Sequence, residues 1–152
     1  MRLTVLGNNG PFPAAGGACS GYLVEENGIK LLVDCGNGVL SNLLKFTDFY
    51  ELDAIILSHL HSDHMSDMMI LRYAIQLKNK KRAVGKILDV YAPSEPGEEY
   101  ARLDIKDAYN LRPIMTGLEL SFGNLKVSFC KMKHPVKSYA MLFDNGSKRF
   151  VY

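Results

Sequence analysis

An apolar run, Ala54-Ile55-Ile56-Leu57, leads directly into Ser58-His59-Leu60-His61-Ser62-Asp63-His64, and this junction narrows the fold more than any other stretch. A short apolar run behind Asp53 reads as a buried strand. Such a strand delivers the histidines to its C-terminal end, where sites gather in layered α/β folds. The chain has four histidines, and three of them fall between His59 and His64. Packing in a core explains one such ring but not the cluster.

In extended backbone alternate side chains share a face, so His59 and His61 present their rings to one ion while Leu60 turns into the core. As the chain tightens into a helix near His64, Asp63 and His64 turn away from the first pair and can serve a neighbouring ion. A carboxylate beside an imidazole suits zinc, iron or manganese. Two ions ~3.5–4 Å apart can share a hydroxide and stabilise both the attacking and the leaving oxygen of a displacement, which makes hydrolysis the natural chemistry. The alternative is a polar loop with Ser62 or Asp63 capping the helix, a role compatible with metal binding. His134, between the strand Leu125–Cys130 and Pro135, is placed to swing into the same cluster and is taken as a further metal ligand.

The remaining pattern alternates strands and helices. Leu3–Leu6 is a strand ending in a Gly- and Pro-rich loop. Gly21–Val24 and Ile29–Val33 flank Asn27-Gly28, a strong hairpin signal. Apolar residues at 39, 40, 43, 44 and 46 predict a short helix, and Met65 to about Lys80 predicts one mostly buried helix, its methionines serving as core filler. Ile87–Tyr91 reads as a strand and Glu98–Asn110 as a polar helix. Glu119–Phe122, Leu125–Cys130, Tyr139–Phe143 and Lys148–Tyr152 complete the strands. One α/β layered domain over 1–152 is expected.

Net charge is +2, and the basic run Lys78, Lys80, Lys81, Arg82 is read as a solvated helix end, so charge gives no support for RNA binding. Three cysteines without a CxxC pair fit a reduced cytoplasmic protein. No apolar run approaches the ~18 residues of a membrane span.

The string His59-Leu60-His61-Ser62-Asp63-His64 resembles the HxHxDH signature of the metallo-β-lactamase superfamily. Leu32-Val33-Asp34-Cys35-Gly36 is similar to that family's upstream strand end, and Lys133-His134-Pro135 to the segment carrying its third histidine. The resemblance implies an αββα sandwich, with His59, His61 and His134 on a first metal and Asp63 and His64 on a second. It also implies a catalytic role for Asp63 toward the attacking water, and a supporting role for Asp34 beneath the histidines. Asp67 is read as a residue of the helix face or one that supports the ligands from behind.

The family pattern also requires a bridging Asp and a last His, and neither is among these 152 residues. The resemblance therefore implies the N-terminal part of an incomplete sandwich. Two divalent metals are expected in the complete domain, zinc first, with manganese or iron as alternatives. One metal, or weak loading, is expected on this chain, together with inactivity in isolation and self-association or strand swapping through exposed apolar surface.

The N-terminal loop Gly7-Asn8-Asn9-Gly10 with Gly16-Gly17-Ala18-Cys19-Ser20 resembles the ribonuclease Z and cyclic-nucleotide phosphodiesterase branch, which points to a nucleotide or small-molecule ester substrate. The alternative is a non-catalytic metal-binding or interaction module on the same fold. A flavodiiron-type oxidoreductase prefers Glu where Ser62 stands, and this disfavours it.

Overall fold

The computed structural model describes residues 1–152. Six strands form the larger sheet in sequence order: β1 (Arg2–Gly7), β2 (Gly21–Glu26), β3 (Ile29–Val33), β4 (Ala54–Ile56), β5 (Leu88–Pro93) and β6 (Tyr109–Ile114). β1, β2 and β3 pair antiparallel, whereas β3 to β6 run parallel. The β2–β3 hairpin turns on Asn27 and Gly28, both at positive φ, the conformation that Asn-Gly supplies at low cost. The second sheet is a four-stranded antiparallel meander of β7 (Glu119–Phe122), β8 (Leu125–Met132), β9 (Ser138–Asp144) and β10 (Arg149–Val151).

Side-chain parity divides the core in two. Leu23, Leu32, Ile55 and Leu57 pack on the helical side of the large sheet. Their strand neighbours Val24, Leu31, Val33, Ala54 and Ile56 pack on the other face, against Val127, Phe129, Met141 and Phe143 of the small sheet. Because successive side chains alternate, the central strands must be apolar at nearly every position to be buried on both faces. The layers are therefore helices, large sheet, small sheet. Phe143 is fully buried and stacks on Phe150 with centroids 4.5 Å apart. Phe143→Ala should cost about 3–5 kcal/mol through lost burial and a residual cavity, read as a lower urea midpoint at constant m-value.

Helices join the parallel strands: α1 (Val39–Leu43) after β3, α2 (Ser62–Met65) and α3 (Met68–Asn79) after β4, α4 (Gly97–Arg102) after β5. Two expectations need correction here. The helix expected from Met65 starts instead at Met68, as α3, and is kept apart from the short α2 before it by hydrogen bonds to Cys35, whose N–H donates to the His64 carbonyl at 2.7 Å and whose carbonyl accepts the Asp67 N–H at 3.0 Å. Those are the groups a continuous helix would have used internally.

The helix expected over Glu98–Asn110 ends at Arg102, and Tyr109 and Asn110 open β6 instead. β6 lies at the sheet's edge, the place where a strand tolerates Pro113. In the basic run, Lys78 pairs with Asp48 and lies over the rings of Phe49 and Tyr50, and Arg82 also lies over Tyr50.

Candidate metal centre

Strands β3 and β4 end side by side, and the segments leaving them build the site. Asp34, the first residue past β3, is fully buried and adopts φ 56°, a left-handed conformation uncommon outside glycine but accessible to Asp. One carboxylate oxygen accepts the Ser58 backbone N–H at 2.7 Å. The other is shared by the Ser58 hydroxyl at 2.8 Å, His64 Nδ1 at 2.6 Å and the Tyr152 hydroxyl at 2.6 Å. A single buried carboxylate thus ties the ends of β3 and β4, the start of the helical segment and the residue after β10.

This network fixes which ring nitrogens remain free. The Ser58 proton goes to Asp34, so the Ser58 oxygen accepts from His59 Nδ1 at 2.9 Å, and the His59 lone pair is left on Nε2. By the same logic His64 uses Nδ1 toward Asp34 and turns Nε2 toward Asp63 Oδ2, 3.6 Å away. Burial, with the neighbouring His64 ring, holds the His59 pKa down to about 4, which keeps it in the neutral form that can ligate a metal. Burial pulls His64 the same way, but its hydrogen bond to Asp34 and that group's charge outweigh it, and the pKa is raised.

His59, His61 and His134 each offer a ring nitrogen, all within 4.8 Å of one another. His134 Nε2 is 3.2 Å from His61 Nδ1. Three nitrogens bound at ~2.0–2.1 Å around a tetrahedral ion would be separated by roughly 3.4 Å, so this donor set fits a divalent cation such as zinc. His61 is still extended at φ −73°, ψ 148°, where it stands as the N-cap of α2 without a side-chain cap bond. The capping role considered for Ser62 or Asp63 is therefore not realised.

The second candidate pair, Asp63 and His64, lies beside the trio, with the His64 ring centroid 4.0 Å from that of His59. His134 comes from the turn between β8 and β9, so the small sheet completes a cluster begun on the large one. A cleft of about 380 Å³ opens over these groups, lined by Ser58, His59, His64, Met132, His134 and Tyr152 among others. Its size is that of a small-ligand site.

Asp67 stands apart from this cluster: nearly buried, it accepts the Leu40 N–H at 2.9 Å and so satisfies the start of α1. Sequence reasoning did not single out Ser58 or Tyr152 as partners of Asp34. Ser58 could have been found from its place next to His59, whereas Tyr152 lies 118 residues from Asp34 and carries no local signal.

Gly36 shows how tightly the floor of the site is packed. A Cβ there would lie 1.9 Å from the Asp63 carbonyl oxygen and 2.7 Å from the Cys19 Cβ. Gly36→Ala is expected to destabilise the fold by about 3 kcal/mol and to displace Asp63, seen as a lower melting temperature together with weaker metal retention.

Residues 29–152 match the family described as the β-lactamase superfamily domain. The probable metallo-hydrolase YhfI of Bacillus subtilis is 37% identical over the whole chain, which covers 62% of that protein. The crystal structure of YhfI superposes with a TM-score of 0.93, over 99% of this chain and 61% of that one.

A ribonuclease Z of Methanopyrus kandleri is 32% identical over 90% of the chain, equal to 47% of its own length. Human tRNase Z, short form, shares the fold at a TM-score of 0.78 and 18% identity, over 99% of this chain and 68% of that one. The chain thus spans about 62% of the first relative's length and less of the ribonuclease Z's. The sequence match and the superposed fold together place this chain in the β-lactamase superfamily.

Proposed function

We propose that this chain carries the histidine-rich part of a metal-dependent phosphodiesterase centre, one fold domain over 1–152, with zinc as the metal. The observation that carries this reading is the convergence of His59, His61 and His134 on a common point, with Asp63 and His64 adjacent. Divalent ions held there would activate water and neutralise the oxygens of a phosphodiester. The chain's own residues do the positioning. Asp34 and Ser58 fix the tautomers and ring planes of His64 and His59, and the β8–β9 turn brings His134 against His61. Asp63 is the assigned acceptor for a proton from the attacking water.

The names of the ribonuclease Z relatives support a phosphodiester substrate over other esters. Among these residues three donors serve the first position and two the second, so the chain by itself is expected to retain close to one equivalent of zinc and to have little turnover. The test is metal analysis together with hydrolysis of phosphodiester, thioester and lactone substrates by the intact gene product. Cleavage of phosphodiesters that requires metal is the expected result. Full metal loading with no phosphodiester hydrolysis would overturn the reading.

A further inference from the structure

The two sheets meet through contacts of two kinds. Most are apolar, with Val24, Val33 and Ile56 on one side and Val127, Met141 and Phe143 on the other. Apolar attraction has no preferred direction, so it holds the sheets together without fixing their offset. Beside Tyr152 the packing is also incomplete: a cavity of about 110 Å³ opens between Tyr22, Val24 and Val33 of the large sheet and Phe150 and Tyr152 of the small sheet's last segment.

At the metal end hydrogen bonds cross between the sheets, and they form a closed circuit. Near the start of β9 the Tyr139 N–H donates to the Ser58 carbonyl at 3.0 Å. Two residues further along β9, Met141 exchanges backbone hydrogen bonds with Tyr152, at 2.9 and 3.0 Å. The Tyr152 hydroxyl returns to the large sheet by donating to Asp34 at 2.6 Å, and Asp34 accepts both the N–H and the hydroxyl of Ser58, at 2.7 and 2.8 Å. The small sheet is thus attached at two points, through backbone at Tyr139 and through one phenol at Tyr152. A single attachment would leave it free to pivot.

This circuit joins the two halves of the histidine trio. His59 directly follows Ser58 on the large sheet's side, and His134 lies five residues before Tyr139 on the small sheet's side. Ligand distances in a metal site hold to within ~0.2 Å, tighter than apolar packing beside a cavity specifies.

We propose that Tyr152 is a positioning residue for the metal centre: its hydroxyl fixes the small sheet so that His134 meets His59 and His61. The proposal rests on the reading of this trio as one metal site, and the phenol acts through Asp34 and β9.

Tyr152→Phe deletes the hydroxyl, keeps the aromatic ring and leaves Asp34 with its other three donors. In the metal-free protein the His61 and His134 rings, with centroids 5.0 Å apart, should give a nuclear Overhauser contact that weakens severalfold in the variant. Zinc affinity of the folded variant, by chelator competition, should fall about tenfold, as it does when other groups behind metal ligands are removed. In a His134→Ala background the same substitution should cost less than about twofold, because the imidazole it places is gone. A loss of equal size in both backgrounds would overturn the proposal and assign the hydroxyl to His64 through Asp34. A lower melting temperature with the ring contact and the zinc affinity unchanged would also overturn it, leaving Tyr152 a purely structural role. Phosphodiester cleavage by the intact gene product judges the parent reading separately: its absence, with the ring contact and affinity changing as expected, would sink that reading and leave the role of Tyr152 standing.

Discussion

Alanine in place of His61 or His134 is expected to lower the affinity for the first zinc ion by more than about a hundredfold. Removing a residue that only orients a ligand costs roughly 10–100-fold in other metal sites, and a direct donor should cost more. Each of these rings contributes one of the three nitrogens gathered within 4.8 Å. His64→Ala should lose less than about tenfold at this first position, because its Nε2 faces Asp63 rather than the trio. Competition with a chromophoric chelator measures all three variants. Equal losses at His64 and His134 would mean that the two positions are not separated as described.

Asp34→Ala carries the second large effect, and it acts on both stability and metal binding. The carboxylate accepts from the Ser58 backbone and hydroxyl, from His64 and from Tyr152, in a fully buried position. Removal leaves buried donors unpaired at about 1–3 kcal/mol each, so a loss of several kcal/mol is expected, with zinc affinity down by roughly 10–100-fold. Asp34→Asn keeps the shape and accepts through one oxygen only. It should recover much of the stability while leaving the His64 ring poorly oriented. Urea denaturation without metal, paired with zinc titration, separates the two effects, and a purely structural role for Asp34 would leave the affinity of the folded Asn variant unchanged.

Much of this architecture was legible because the physics is local. Asn27-Gly28 announces the β2–β3 hairpin, the apolar run Ala54–Leu57 announces a strand buried on both faces, and the spacing of His59 and His61 places two rings on one side of an extended segment. Features set by distant partners were not legible. The break between α2 and α3 comes from Cys35, which captures backbone groups of His64 and Asp67. β6 was masked by Pro113 and by the polar stretch before it, and only its place at the edge of the sheet makes it a strand. In the site, the cluster His59–His64 was readable as a unit, whereas the hydrogen bond from Tyr152 to Asp34 exists only once the two sheets have met.

Whether His59, His61 and His134 share one ion is tested most directly by the zinc K-edge absorption spectrum of the chain at one equivalent. Three imidazole nitrogens at ~2.0–2.1 Å, reduced to two in His134→Ala, are the expected result. A shell containing sulfur at ~2.3 Å, or an imidazole count that does not change when His134 is removed, would contradict it.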